Sequence, residues 1–100
     1  MNLSQSELAI IRHILSKLFA ELKMQVFVFG SRSNNSNNKA SDLDLLLKSA
    51  AVIDPALIEK LKEAFEESNL KFKVDILDYN RVDEKFLQSI SDGLLELKVN

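Results

Sequence analysis

Asp42 and Asp44 stand two residues apart at the head of Asp42-Leu43-Asp44-Leu45-Leu46-Leu47, a run that reads as a β-strand. Strand side chains alternate between faces, so these carboxylates project from one face about 7 Å apart along the strand. Leu43, Leu45 and Leu47 then point the other way, into a core. Carboxylates this close repel unless a cation lies between them or one takes a proton. A hard divalent cation answers that need, and magnesium commonly takes one or two carboxylates together with substrate phosphates. Upstream, the apolar run Val26 to Phe29 ends in Gly30-Ser31. Glycine there permits backbone angles that a bulkier residue resists, and lets the backbone approach a ligand closely. Taken alone, an Asp-x-Asp pair more often marks a polar strand edge facing water. The Gly-Ser step directly after an apolar strand, and a further aspartate, Asp75, on an alternating strand, shift the reading toward a catalytic site.

These residues need a scaffold, and the chain supplies one of order α-β-loop-β-α-β-α. Ser4-Gln5-Ser6-Glu7 fits a capping box, in which the Ser4 and Glu7 side chains each satisfy a free amide. Leu8, Ile11, Ile14, Leu15, Leu18, Phe19 and Leu22 follow at helical spacing, which predicts a helix over about Gln5 to Leu22. His13 falls off that stripe, as a solvated surface histidine would. The first strand, about Gln25 to Phe29, is apolar on both faces and suits a central position, with Phe27 and Phe29 as core aromatics. Four asparagines and four serines lie between Ser31 and Ser41, a composition that favours turns, with room for a short helical turn after Ser31. The second strand is expected over Asp42 to Lys48. Asp54-Pro55 starts a second helix, ending near Ser68 or Asn69. The third strand, Lys71 to Leu77, places Phe72, Val74 and Ile76 in the core and Asp75 on the opposite face. A last helix spans about Val82 to Ser91 with Val82, Phe86, Leu87 and Ile90 inward, and Leu94 to Val99 forms a short strand or extended tail. The expected fold is a small α/β (α+β) domain occupying residues 1–100, with a mixed sheet of three to four strands. Its helices lie largely on one face, and the face bearing Asp42, Asp44 and Asp75 stays open.

Gly30-Ser31, ten residues from Arg32 to Ser41, and then Asp42-Leu43-Asp44 resembles the signature of the nucleotidyltransferase superfamily that includes DNA polymerase beta. Asp75, within Val74-Asp75-Ile76-Leu77, supplies the third carboxylate of that pattern. The short length and the wording Gly-Ser-Arg…Ser-Asp-Leu-Asp-Leu are most similar to minimal nucleotidyltransferases, the antitoxin-type partners of HEPN-domain proteins. Such proteins often carry a glycine a few residues after the arginine; here the loop reads Ser33-Asn34-Asn35-Ser36-Asn37-Asn38. The resemblance implies transfer of a nucleoside monophosphate, with AMP from ATP expected, to a hydroxyl. It further implies two magnesium ions, with Asp42 and Asp44 bridging both and Asp75 serving the one that activates the acceptor. Gly30 and Ser31 would present a backbone amide and a hydroxyl to the β- and γ-phosphates, with Arg32, Lys39 and Ser41 as further contacts to the nucleotide. Asp78, just past the third strand, rivals Asp75 for the third position, and Asp75 could instead pair with Lys73 or Lys71 as a surface acid.

Composition narrows the partners. A net charge of −2, with 13 basic residues scattered among 15 acids, argues against a nucleic-acid-binding module, though not against a mononucleotide site. With no cysteine there is neither a disulfide framework nor a thiolate metal site, and one histidine excludes a multi-histidine zinc site within the chain. No leader-like or membrane-length apolar run occurs, so a soluble, cytoplasmic setting is expected. One hundred residues leave no room for the extra helical domain that usually holds a small-molecule acceptor. A second chain bringing the hydroxyl is therefore expected, and by resemblance it is a tyrosine of a HEPN-type toxin, in a homo- or hetero-oligomer. Two other readings stand beside this one: a binding module that neutralises its partner by contact alone, and a small-molecule nucleotidyltransferase whose acceptor site forms between chains.

Overall fold

The computed structural model describes residues 1–19, 23–30 and 42–99. Helix α1 spans Gln5–Phe19, strand β1 Gln25–Phe29, β2 Leu43–Lys48, helix α2 Pro55–Glu66, β3 Val74–Asp78, helix α3 Glu84–Ile90 and β4 Leu95–Leu97, with a 3-10 turn at Ser91–Gly93. The strands form one sheet in the order β3-β2-β1-β4. β2 runs antiparallel to β1 and parallel to β3, while β4 pairs antiparallel with the other side of β1. The mixed sheet expected from the sequence is thus present with four strands.

Local chemistry sets the element boundaries. The Glu7 amide donates to Ser4 Oγ at 3.1 Å and the Ser4 amide to Glu7 Oε1 at 2.8 Å, the two reciprocal bonds of a capping box. Asp54 accepts from the Ala56 amide, and Pro55 occupies the first turn of α2. The helix stops at Glu66, two to three residues earlier than its apolar pattern suggests. There the Ser68 hydroxyl donates to the Phe65 carbonyl at 2.6 Å while the Leu70 amide donates back to Ser68 Oγ, which closes the end. Likewise α3 begins at Glu84 rather than Val82, because Asp83 caps it by accepting from the Phe86 amide. The expected end of α1, residues 20–22, lies outside the described residues.

One face of the sheet carries the main core. Ile11 and Leu15 of α1 and Leu61 and Phe65 of α2 pack with Val26, Val28, Leu43, Leu45, Leu47, Val74 and Ile76. The alternation read from the sequence holds along β2, where Leu43, Leu45 and Leu47 are fully buried in that cluster. Phe29 and Leu46 are also buried but stand outside the cluster, on the opposite face. The cover of Phe29 comes in part from α3. The Phe86 ring meets Phe29 edge-on, with centroids 5.9 Å apart at 85°. Two helices therefore share one face, and the third lies across part of the face that bears the aspartates.

β3 begins at Val74, three residues later than the alternation of Lys71 to Leu77 suggests. A strand persists only where it has a partner, and β2 itself starts at Leu43, the residue opposite Val74. The Leu43 amide donates to the Lys73 carbonyl, which marks the head of the ladder. At the other end Asp78 belongs to the strand and is buried. Its carboxylate accepts from the Ile53 amide at 2.7 Å and from the Asn80 amide at 2.9 Å, with Arg81 Nε at 3.6 Å. Asp78 thus fastens the β2–α2 connection to the end of β3 on the core side, so it is not the third carboxylate of the site.

Truncating Asp78 to alanine leaves the buried Ile53 amide without its partner, a loss of about 1–3 kcal/mol. In urea denaturation Asp78→Ala should lower stability more than Asp75→Ala. The reverse order would contradict this structural role for Asp78.

Candidate active site

Asp44 occupies the middle of the site because β2 is an interior strand. It sits opposite Phe29 across the antiparallel β1 ladder and opposite Asp75 across the parallel β3 ladder. Partners in register share a face, so the backbone alone brings Asp44 and Asp75 together. Asp42 lies just before β2, exposed, two residues from Asp44 and hence toward the same side. Asp44 is half-buried, and its carboxyl is pushed above the ordinary value. Burial is the largest cause, followed by repulsion from Asp75 and then from Asp42.

Gly30 closes the other side. It has φ of +78°, a region L-residues rarely adopt, and a Cβ built there would stand 2.5 Å from Asp44 Oδ2. No side chain fits between the end of β1 and that carboxylate. Sequence reasoning assigned this glycine to a close approach of phosphate; the structure adds a close approach to Asp44. Ser31, Arg32, Lys39 and Ser41, together with the asparagine-rich loop, lie outside the described residues.

Asp75 has a neighbour of its own: Lys73 Nζ is 3.6 Å from Asp75 Oδ1, with both side chains well exposed. An exposed pair of this kind contributes roughly 0–1 kcal/mol, so it leaves Asp75 available to a stronger ligand. A cleft of about 390 Å³ opens over the aspartates, lined by Phe29, Asp44, Lys62, Asp75, Leu77 and Phe86 among others. Sequence reasoning did not place Lys62 at the rim of this cleft and missed which face Phe86 covers. Lys62 flanks the apolar stripe of α2, so only its placement beside the β3 edge reveals it.

Among the described residues, no three histidine, cysteine, aspartate or glutamate side chains converge closely enough to hold an ion by themselves. The donors present are carboxylates only, mutually repelling at Asp44. Such a set suits a hard cation that completes its shell with phosphate oxygens and water rather than a closed protein cage. Among the described residues no helix is long and apolar enough to cross a membrane.

An interior strand and its edge neighbour thus carry register-matched aspartates, with Gly30 against the first of them. The chain matches the family described as "Polymerase beta, Nucleotidyltransferase" over residues 9–95, and it belongs to that family of nucleotidyltransferases. It is 39% identical over 90 residues to the probable protein adenylyltransferase MntA of Haemophilus influenzae, covering 90% of this chain and 77% of the relative. Among solved structures, it is similar to a chain in a toxin–antitoxin crystal structure with AMP-PNP, with a TM-score of 0.74 and 22% identity, covering 91% of this chain and 72% of that one. A chain in the structure of a tri-AMPylated Shewanella oneidensis HEPN toxin with MNT antitoxin gives a TM-score of 0.62 at 20% identity, covering 91% and 71%. At those identities the two structural likenesses speak to the fold.

The raised pKa of Asp44 has a thermodynamic consequence. The folded state holds this proton more tightly than the unfolded chain does, so stability falls as pH rises from the ordinary carboxylate range through the raised value. Asp44→Asn removes the buried charge and should melt at a higher temperature than the parent near pH 7.5 in the presence of a chelator. The difference should shrink toward zero by about pH 3, where the parent carboxylate is protonated as well. Circular-dichroism melts across that range check it, and a lower melting temperature for Asp44→Asn at pH 7.5 would contradict the crowding.

Proposed function

We propose that this protein transfers AMP from ATP to a hydroxyl on a partner polypeptide, a tyrosine of a HEPN-type toxin, and acts as the antitoxin of that pair. The observation that carries the reading is the register pairing of Asp44 with Asp75, with Asp42 on the same side and Gly30 pressed against Asp44. The 39% identical relative named as a protein adenylyltransferase supports the reaction class. The toxin–antitoxin complexes among the structural neighbours support the choice of partner.

In this reading Asp42, Asp44 and Asp75 hold magnesium, which when bound neutralises the charge that develops on the phosphates and lowers the pKa of the attacking hydroxyl. The acceptor oxygen forms a bond to the α-phosphorus as the bond to pyrophosphate breaks, and the hydroxyl proton passes to Asp75. Gly30 and Ser31 orient the β- and γ-phosphates, and Arg32, Lys39 and Ser41 contribute contacts to the nucleotide. Asp44 fixes the geometry, because its backbone is pinned on both sides by strand ladders.

The Lys73–Asp75 contact favours a second reading, in which the carboxylates are inactive and the protein neutralises its partner by contact alone. The two are separated by Asp75→Asn. Incubated with magnesium, ATP and the HEPN-type partner, the parent should add the mass of AMP to the partner. The Asp75→Asn variant should bind both nearly as well yet transfer at least ~100-fold more slowly, as loss of a general base or of metal activation commonly gives. Full protection of cells by Asp75→Asn would leave the contact-only reading standing.

A further inference from the structure

The cleft over the aspartates does not end at Asp75. A second cleft of about 340 Å³ continues from it, with Lys62 and Asp75 lining both and Phe65, Leu70, Phe72 and Lys73 lining the continuation. Its position in the sheet is informative. Gly30 ends β1, on one side of Asp44, whereas β3 and Asp75 lie on the other. The continuation therefore leads away from the Gly30 side, where the triphosphate is assigned, and out over the sheet edge. β3 pairs only with β2 among the described residues, and an edge strand offers backbone groups to an extended chain laid beside it.

We propose that this outer cleft receives the acceptor polypeptide, and that Lys62 selects a segment with an acidic side chain next to the hydroxyl-bearing residue. The inference rests on the nucleotidyl-transfer reading above and adds to it the acceptor's path and preference. The apolar wall of Phe65, Leu70 and Phe72 suits an aromatic ring, and Asp75 stands at the inner end, where the hydroxyl must arrive. Lys62 is free to change partners. Among the described residues its ion pair is with Glu59, 3.7 Å away, and Glu59 lines neither cleft. That pair is exposed and weak, so a carboxylate of the acceptor can replace it. Glu66 and Lys73 also line the outer cleft, but of its two lysines Lys62 is the one that lines the inner cleft as well and so joins the two.

Two synthetic peptides, Glu-Glu-Tyr-Glu-Glu and Lys-Lys-Tyr-Lys-Lys, test this with two independent readouts. In NMR titrations the acidic peptide should shift the amides of Lys62, Leu70, Phe72 and Asp75, and the basic one should not. Lys62→Gln should weaken the acidic peptide about tenfold, the loss of one charge-assisted contact, while Lys62→Arg restores it. In transfer assays with magnesium and labelled ATP, Lys62→Gln should raise KM for the acidic peptide with kcat and nucleotide affinity little changed. Shifts confined to another surface, no shifts at all, or equal binding of both peptides by parent and Lys62→Gln would overturn the proposal. Specific binding without any AMP transfer would keep it and remove the nucleotidyl-transfer reading instead.

Discussion

The burial of Asp44 beside the charges of Asp75 and Asp42 is the constraint on which the candidate site depends. Left to themselves, three carboxylates would separate or take up a proton. Here strand ladders on both sides of β2 keep Asp44 opposite Asp75, and burial strips Asp44 of part of its hydration. Gly30 completes the confinement, since any side chain there would strike Asp44 Oδ2. Leu43, Leu45 and Leu47 anchor β2 in the core from the other face. A cation between such carboxylates would relieve the repulsion, and in the proposed reading it would share its shell with the phosphates of the nucleotide.

The two faces of the sheet divide the work. α1 and α2 stabilise the fold without entering the site, save where the flank of α2 brings Lys62 to the edge of the cleft. α3 does the reverse: no residue of it is buried, yet Phe86 walls the cleft through its contact with Phe29. The third aspartate-bearing segment is similarly divided. Asp75 and Asp78 are three residues apart on one strand and therefore face opposite ways; one joins the site, and the other secures a buried loop amide.

Much of this was legible in the residues themselves, for identifiable reasons. A strand's period of two placed Asp42 and Asp44 on one side and three leucines on the other, and β2 obeys it. The capping box at Ser4 and Glu7 and the Asp54-Pro55 start act within one turn, so no tertiary information was needed. The choice of Asp75 over Asp78 also followed from alternation. Less was legible where the answer depends on a neighbour distant in sequence. The start of β3 depends on where β2 begins, and the ends of α2 and α3 on single serine and aspartate side chains. The face covered by Phe86 and the arrival of Lys62 depend on strand order, which periodicity does not encode. Ser31, Arg32, Lys39 and Ser41 lie outside the described residues, and their roles rest on the resemblance read from the sequence.

The central claim is that the crowded carboxylates exist to bind a cation jointly with a nucleoside triphosphate. Calorimetric titration of a non-hydrolysable ATP analogue, with and without magnesium, measures that coupling directly. The account predicts that magnesium tightens binding at least ~tenfold in the parent and that the gain disappears in the Asp42→Asn, Asp44→Asn double variant. An undiminished magnesium effect in a folded double variant would contradict it.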